Sequence, residues 1–593
     1  MGYAHGYATA IMHRGRVPME PVDFVPDWAD GPRKTKHYPG TDRLPLPAGP
    51  AYPANATVER GLLHPADGTG PAFDLGLLGG LLRDSYGLVG RRLGVQANTD
   101  LNALPFYPLA NWSRGTASGG GLYPVSVYWV SGASAPVPPG VHYYSARHHA
   151  LRRLLTGDVS GAVREALGEG APGPETDQFL VLGVKYWQNS FKYNSFSFHA
   201  VSMDVGALLG TWRTWAGARG TALEPALWFD EERLARLLGV AGEEEGIFAV
   251  VPLPWAGHGF AARPGERAGT GPAYGTEAGN DVGDGSGAAR GANGNGVAVG
   301  GARAGAAAQP GPAPASAPHS APPPAPPAEV SVRHRDVERS RTVLDFEALT
   351  AMQRATAADA AARPAPGALA AAAAAAPAPG RAETALPEPA PLARDVRAAL
   401  RARRSSFGRF AAERPLAGGH LTACLAAAAG GARLGGDAAA AGADGLVKLY
   451  ALVNHVAGVA PGTYEYLPGG EPGALRRVSG EPPGAFLQEN YFLANYNLEQ
   501  AGAVVVPTVR THSVLDAVGD RGYRLVNALI GGVAQATYTA AAALDVGCGV
   551  ALGFDNIAYR ERFELGETDE MPLLIMMLGH ERRGASDYRF EIA

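Results

Sequence analysis

Lys192 and Tyr193 stand side by side in FKYNSFSFH, a polar, aromatic hinge between two apolar runs. A free phenol has a pKa of about 10 and is a poor base at neutral pH. An ammonium about 4 Å away, at an effective dielectric near 20, favours the phenolate by up to roughly 4 kcal/mol. That moves a phenol toward the range useful for general-base work. Adjacent residues do not share a helix face, so the pair is expected on the hinge itself. From residue types alone, a surface lysine beside a packed tyrosine is the better reading. Lys185-Tyr186 is a second such pair, placed at a strand end and discounted for that reason. His148-His149 suits a strand-end turn better than a metal site, because no acidic partner follows at useful spacing. No metal site is expected.

The elements that must hold the hinge are legible on both sides of it. Phe179 to Val184 has the length and composition of a buried strand. After the hinge, Phe198, Met203, Val205, Leu208, Leu209 and Trp212 recur at helical spacing and can share a broad apolar face. Trp212 and Trp215 are expected in the core. Cys548, in GCGV, is expected as a small packed residue rather than a nucleophile.

At 593 residues the chain is too long for one core and suggests two or more domains. Residues 1–75 are rich in Pro, Gly and Tyr and read as an irregular arm. A first globular unit is expected over 76–256. Residues 257–391 read as a mostly disordered Gly/Ala/Pro-rich linker, since they carry almost no large apolar residues to offset ordering entropy. A short docked segment near 331–356 interrupts it. A second globular unit fills 392–593.

The two units are related. Tyr128 and Tyr450 sit in matching strand-like runs, and the Pro139-Gly140 and Pro461-Gly462 turns follow at the same offset of 322. His199 and Arg524, and Gly206 and Gly531, match at an offset of 325. A steady offset through strand, turn, strand and helix implies duplication of one α+β unit. Long helices beside an antiparallel sheet suggest an α+β layered domain.

Two cysteines make no disulfide framework and suit a reducing compartment. A net charge of −5 with no long basic run gives no support to a nucleic-acid role. The first residues lack an apolar signal core, and the poly-alanine run ending at Ala376 is too short to span a bilayer. A soluble cytoplasmic protein without a membrane role is expected.

RGTASGGGLYP, Arg114 to Pro124, resembles the R-x-x-P-S-G-G-x-x-Y-P segment of SagB-type azoline dehydrogenases, flavin enzymes of the nitroreductase superfamily. FKYNSFSFH is similar to that family's K-Y-G-x-R-x-Y-R segment, with Lys192-Tyr193 on its Lys-Tyr pair. DWADGPRKTKHYPGTDRLPLP in the arm, RRSSFGRF at 403–410 and the closing LGFD and GHERRG also look like family segments. Ala117 stands where the family has proline, and His199 where it has arginine.

The resemblance implies two tandem nitroreductase-like domains forming an intramolecular pseudo-dimer, with FMN at their junction. It implies that Arg114, Ser118, Gly119, Gly120 and Gly121 cover the flavin ring. Glycine would permit backbone to approach a flat ring closely. Arg403, Arg404 and Ser405 would hold phosphate and ribityl, helped by Arg582 and Arg583, since phosphate needs arginine forks or helix N-termini. Gly553 would bring its N–H near flavin N5. Tyr193 becomes the base and Lys192 its electrostatic tuner. The second unit has AAGADG at 440–445 in place of the glycine loop and Ala517-Val518 in place of Lys-Tyr, so one FMN per chain is expected. The implied reaction is oxidation of thiazoline or oxazoline rings to thiazole or oxazole in a ribosomally made peptide. The implied partners are the azoline-containing precursor peptide and a cyclodehydratase complex. An NAD(P)H-fed nitro- or quinone-reducing flavoprotein and a catalytically silent scaffold are the alternatives.

Overall fold

Two antiparallel sheets carry the fold, and runs of β-branched and aromatic residues build both. The computed structural model describes residues 2–64, 66, 68–93, 110–257, 330–376, 379–406, 408–470, 472–582 and 588–592. The linker reading for 258–329 lies outside the described residues, as does Arg583. Met1–Phe260 and Ser331–Ala593 cluster as one unit; the other, Ala261–Val330, falls almost wholly outside the described residues.

The first sheet centres on Val125–Ser131, which is buried along its whole length. Gly140–Ser145 pairs with it on one side and Gln178–Lys185 on the other. Ala150–Thr156 and Glu245–Pro252 lie outside these. The second sheet repeats the order, with Lys448–Val453 between Gly462–Leu467 and Ala503–Arg510. Register agrees as well. Tyr128 lies opposite Tyr143 and Val181, and Tyr450 opposite Glu465 and Val506. These are the same positions at the offsets seen in the sequence.

Each sheet is covered by a long helix, Ser197–Gly217 and Gly522–Ala543, and the two helices pack on each other. Nearly every residue of both is buried, so the single apolar face expected for Phe198 to Trp212 becomes all-round burial. The backbones touch where glycine leaves room. A Cβ on Gly206 would lie 1.9 Å from the Ala528 carbonyl oxygen, and one on Gly531 would lie 1.9 Å from that of Met203. Ala528 is Met203 shifted by 325, so the contact is reciprocal, as at a two-fold interface. Trp212 and Trp215 are core residues whose indole N–H groups donate to Ser85 and Asp84.

A buried charge cluster ties the parts together. Glu231 accepts from Arg521 at 2.8 Å, Arg524 at 2.9 Å and Gln353 at 2.9 Å. Arg524 also donates to Thr356 at 2.8 Å. Gln353 and Thr356 belong to the helix Glu347–Ala358, which places the docked segment against both long helices.

Two expectations change. The arm is partly regular: Tyr3–His13 and Val58–Leu63 are helices, and Arg43–Pro45 joins the first sheet. Isolated apolar residues, Ile11, Val58 and Leu62 among them, anchor these short pieces. The linker reading does not hold between the docked segment and 391. Leu369 and Leu386 are buried, and Glu383–Ala385 pairs with the second sheet. Each leucine is alone among alanines and prolines, but each finds a ready pocket.

Candidate functional site

A cavity of about 600 Å³ opens beside the crossing of the long helices. Ser118–Gly121, Lys192, Tyr193, Arg403–Ser405 and Gly553 all line it. Segments separated by hundreds of residues therefore meet at one place.

Tyr193 closes the short helix Trp187–Tyr193, and Asn194 then turns at φ +43°. The pair thus sits in a helical last turn, where a wholly irregular hinge was expected. The lysine still reaches the phenol, because its flexible stem folds back: Nζ is 4.7 Å from the Tyr193 ring centroid. The arm buttresses this turn, with Tyr7 Oη donating to the Ser195 carbonyl at 2.6 Å.

The glycine loop lies directly against the phenol. Gly120 has φ +62°, and a Cβ there would sit 2.6 Å from Tyr193 Oη. Two side chains that sequence reasoning missed hold the loop. Asp204 accepts from Ser118 Oγ at 2.6 Å and from the Gly119 amide at 2.8 Å. Gln535 accepts the Ala117 amide at 2.9 Å and donates to the Gly115 carbonyl. Burial pushes the Asp204 carboxyl up to about 7, against the two hydrogen bonds that favour its charged form. The only local signal for Asp204 was a carboxylate inside an apolar helical run.

Arg114 does not reach the cavity. It is buried between the Tyr86 and Tyr123 rings, 4.4 and 4.2 Å from their centroids, and donates to the Lys34 carbonyl. Stacking on two aromatic faces draws the planar guanidinium inward, so it steadies the loop from behind. Arg403 spends Nε and Nη2 on the carbonyls of Gly115 and Arg114, joining the basic segment to the loop. Arg404 pairs with Glu581, and Ser405 Oγ lies 2.7 Å from Tyr538 Oη. Arg582 lines an adjoining cavity of about 580 Å³ together with Arg404, Arg409, Arg414 and His580. Arg404 and Tyr538 border both spaces.

Arg14, just after the arm helix, also lines the main cavity. It donates to the carbonyls of Ile11 and Leu552 and to Asn556, clamping the turn that carries Gly553. His199 makes a 2.8 Å hydrogen bond with Tyr523 and is held well below the usual histidine range by burial. Cys548 is buried, and burial raises its thiol. His148 and His149 lie in a turn between two strands. Among the described residues, no group of histidines, cysteines and carboxylates could hold a metal, and no helix is long and apolar enough to cross a membrane.

The residues present fit a flavin. Glycine backbone at 119–121 lines the cavity, and at Gly121, with φ +64°, nothing lies within 4 Å of where a Cβ would stand, which leaves room for a flat ring. Arg404 lines both this cavity and the basic adjoining one.

Comparison with known proteins agrees on the class, a two-layer α+β oxidoreductase. Residues 400–580 match the profile of the Nitroreductase family. A Methanocaldococcus jannaschii protein assigned as a nitroreductase is 34% identical over 151 residues, covering 24% of this chain and 68% of that protein. The chain belongs to the nitroreductase family, whose members typically bind flavin. The fold is similar to a crystal structure of an Anabaena variabilis protein assigned to the same family. There the TM-score is 0.63 at 19% identity, covering 98% of this chain and 100% of that one. A slight likeness, with a TM-score of 0.26 at 17% identity, is found to the E. coli microcin synthetase McbBCD complex with truncated pro-MccB17 bound, covering 30% of this chain and 71% of that one.

Proposed function

We propose that this chain is an FMN-dependent dehydrogenase that oxidises thiazoline or oxazoline rings of a ribosomally made peptide, acting beside a cyclodehydratase that forms those rings. The observation that carries the reading is the meeting of Lys192-Tyr193, the 118–121 loop and Arg403–Ser405 around one cavity. Bound FMN would supply the two-electron acceptor. Tyr193, as the phenolate, accepts the proton released from ring carbon and becomes a neutral phenol, and the Lys192 ammonium offsets the negative charge carried before that transfer. Asp204 and Gln535 hold the loop that positions the ring. Arg404 and the basic adjoining cavity take the phosphate, with Arg403 fixing the segment rather than gripping the anion.

In the same reading the two sheets are tandem nitroreductase-like domains in an intramolecular pseudo-dimer, 76–256 and 392–593. The reciprocal Gly206 and Gly531 contacts support it. So does the fate of the second position. Shifted by 325, Gln535, Tyr538 and Ala207 become Gly210, Arg213 and Gly532, which line a space of only about 150 Å³. The helix Val58–Leu63 enters there through Gly61 and Leu62. The 440–445 loop is covered too: Gly367, Leu369 and Ala374 donate their amides to Ala440, Ala441 and Gly445. One FMN per chain follows. Purified protein should be yellow with near one FMN per chain, and Tyr193→Phe should keep the flavin and lose azole formation. Full activity in that variant would end the base assignment.

A further inference from the structure

The cavity wall is strongly one-sided in charge. Arg14, Lys34, Lys192, Arg339, Arg403 and Arg404 line it, against the single carboxylate of Asp204 among the described residues. Arg14, Arg403 and Arg404 are committed to carbonyls or to Glu581, as described. Lys34, Lys192 and Arg339 form no ion pair among the described residues. All three lie toward the arm. Lys34 belongs to it. Arg339 comes from the strap 331–342, which the arm holds: Asp30 accepts the Arg341 and Thr342 amides at 2.8 and 2.9 Å, and Arg33 donates to the Val337 carbonyl at 2.8 Å. Arg339 itself donates to the Ala29 carbonyl. Trp28 packs edge-on against Phe191 and lies 5.8 Å from Lys192 Nζ.

The three cations line one cavity, and Lys34 and Lys192 are close enough for one to disfavour the other. Much of Lys34 still meets solvent, yet its ammonium is held below the usual lysine range, first by the protein around it and then by Arg114 and Lys192. Like charges gathered without a partner raise the free energy of the folded chain unless an anion joins them. They lie on segments that bring no helix N-terminus to the cluster among the described residues, and the Arg339 guanidinium can take a carboxylate bidentately with the two ammoniums as point charges beside it.

We propose that Lys34, Lys192 and Arg339, with Trp28 beside them, form a subsite for a carboxylate of the substrate, separate from the flavin phosphate grip. The proposal rests on the reading that this cavity is the active site. An acidic residue next to the reacting ring, or the C-terminal carboxylate of a short peptide, meets the requirement.

The test uses the full-length, FMN-loaded protein and the Lys34→Gln, Arg339→Gln double variant, which spares Lys192. Calorimetry with acetyl-Gly-Asp-Gly-amide, acetyl-Gly-Asn-Gly-amide and acetyl-Gly-Asn-Gly-OH separates side-chain from terminal carboxylates and needs no turnover. One of the two charged peptides should bind wild type more tightly than the neutral one, and the double variant should lose about tenfold of that affinity with FMN affinity unchanged, the scale of two partly exposed charges. Equal affinity for charged and neutral peptides in wild type would overturn the subsite. Loss of FMN affinity in the variant would reassign these cations to the cofactor. In parallel, KM for an azoline peptide with an adjacent Asp should rise in the double variant while kcat holds. Absence of azoline turnover with the carboxylate preference intact would count against the proposed reaction and leave the subsite standing.

Discussion

Asp204→Asn should remove a pH dependence that the protein owes to one carboxyl. Burial raises that carboxyl from 3.8 to about 7. The folded chain therefore holds a proton that the unfolded chain has lost at every pH between those values. Stability contributed by that proton is full below about 4 and declines as pH rises to about 7. Each unit is worth about 1.4 kcal/mol, so the decline is roughly 4 kcal/mol in all and about 3 kcal/mol between pH 5 and 8. Buried histidines act in the opposite sense. His142 is lowered to about 4 and His199 lies well below its usual value, so both cost stability as pH falls through 6.5. They are common to both proteins and cancel in the difference. Urea unfolding followed by tryptophan fluorescence at pH 5, 6, 7 and 8 supplies the two curves. Wild type should lose about 3 kcal/mol relative to Asp204→Asn across that range. Parallel curves, with a difference constant to about 0.5 kcal/mol, would refute the reasoning.

Glu231→Ala leaves Arg521 and Arg524 buried without their carboxylate, and should cost about 3–5 kcal/mol in denaturant unfolding. Gly206→Ala and Gly531→Ala each drive a methyl group into a backbone carbonyl 1.9 Å away. Both should destabilise by about 1–3 kcal/mol or more, and by similar amounts, because the contact is reciprocal. Gly120→Ala combines a strained φ with a clash against Tyr193 Oη. Activity should fall sharply and stability by about 1–3 kcal/mol in urea unfolding, while far-UV circular dichroism stays near wild type.

Much of the fold was legible because the chain states it twice. Tyr128 and Tyr450 marked matching strands and the Pro-Gly turns marked the hairpins, and the observed register agrees with those offsets. The Ala/Pro stretch beyond 358 was misread for a physical reason: composition averages away single leucines, yet Leu369 and Leu386 are each buried by a partner far along the chain. In the site, the glycine loop and Lys-Tyr pair announce themselves through local residue types. Arg114 does not, since whether an arginine faces a cavity or two tyrosines depends on packing alone. Asp204, Gln535, Arg14 and Arg339 were invisible for a related reason. Each acquires its role from a segment that folding brings alongside, such as Asp204 from Ser118.

The crossing of Ser197–Gly217 with Gly522–Ala543 has a consequence for inheritance. In a pair of identical subunits every substitution is written on both sides of the axis, so neither pocket can change without the other. One continuous chain escapes that rule. On the proposed pseudo-dimer reading, Tyr538 can remain where Arg213 stands opposite, and Gly61 can line the small space beside Arg213 without entering the larger cavity. Joining such halves end to end would let one pocket be given up while the other is kept.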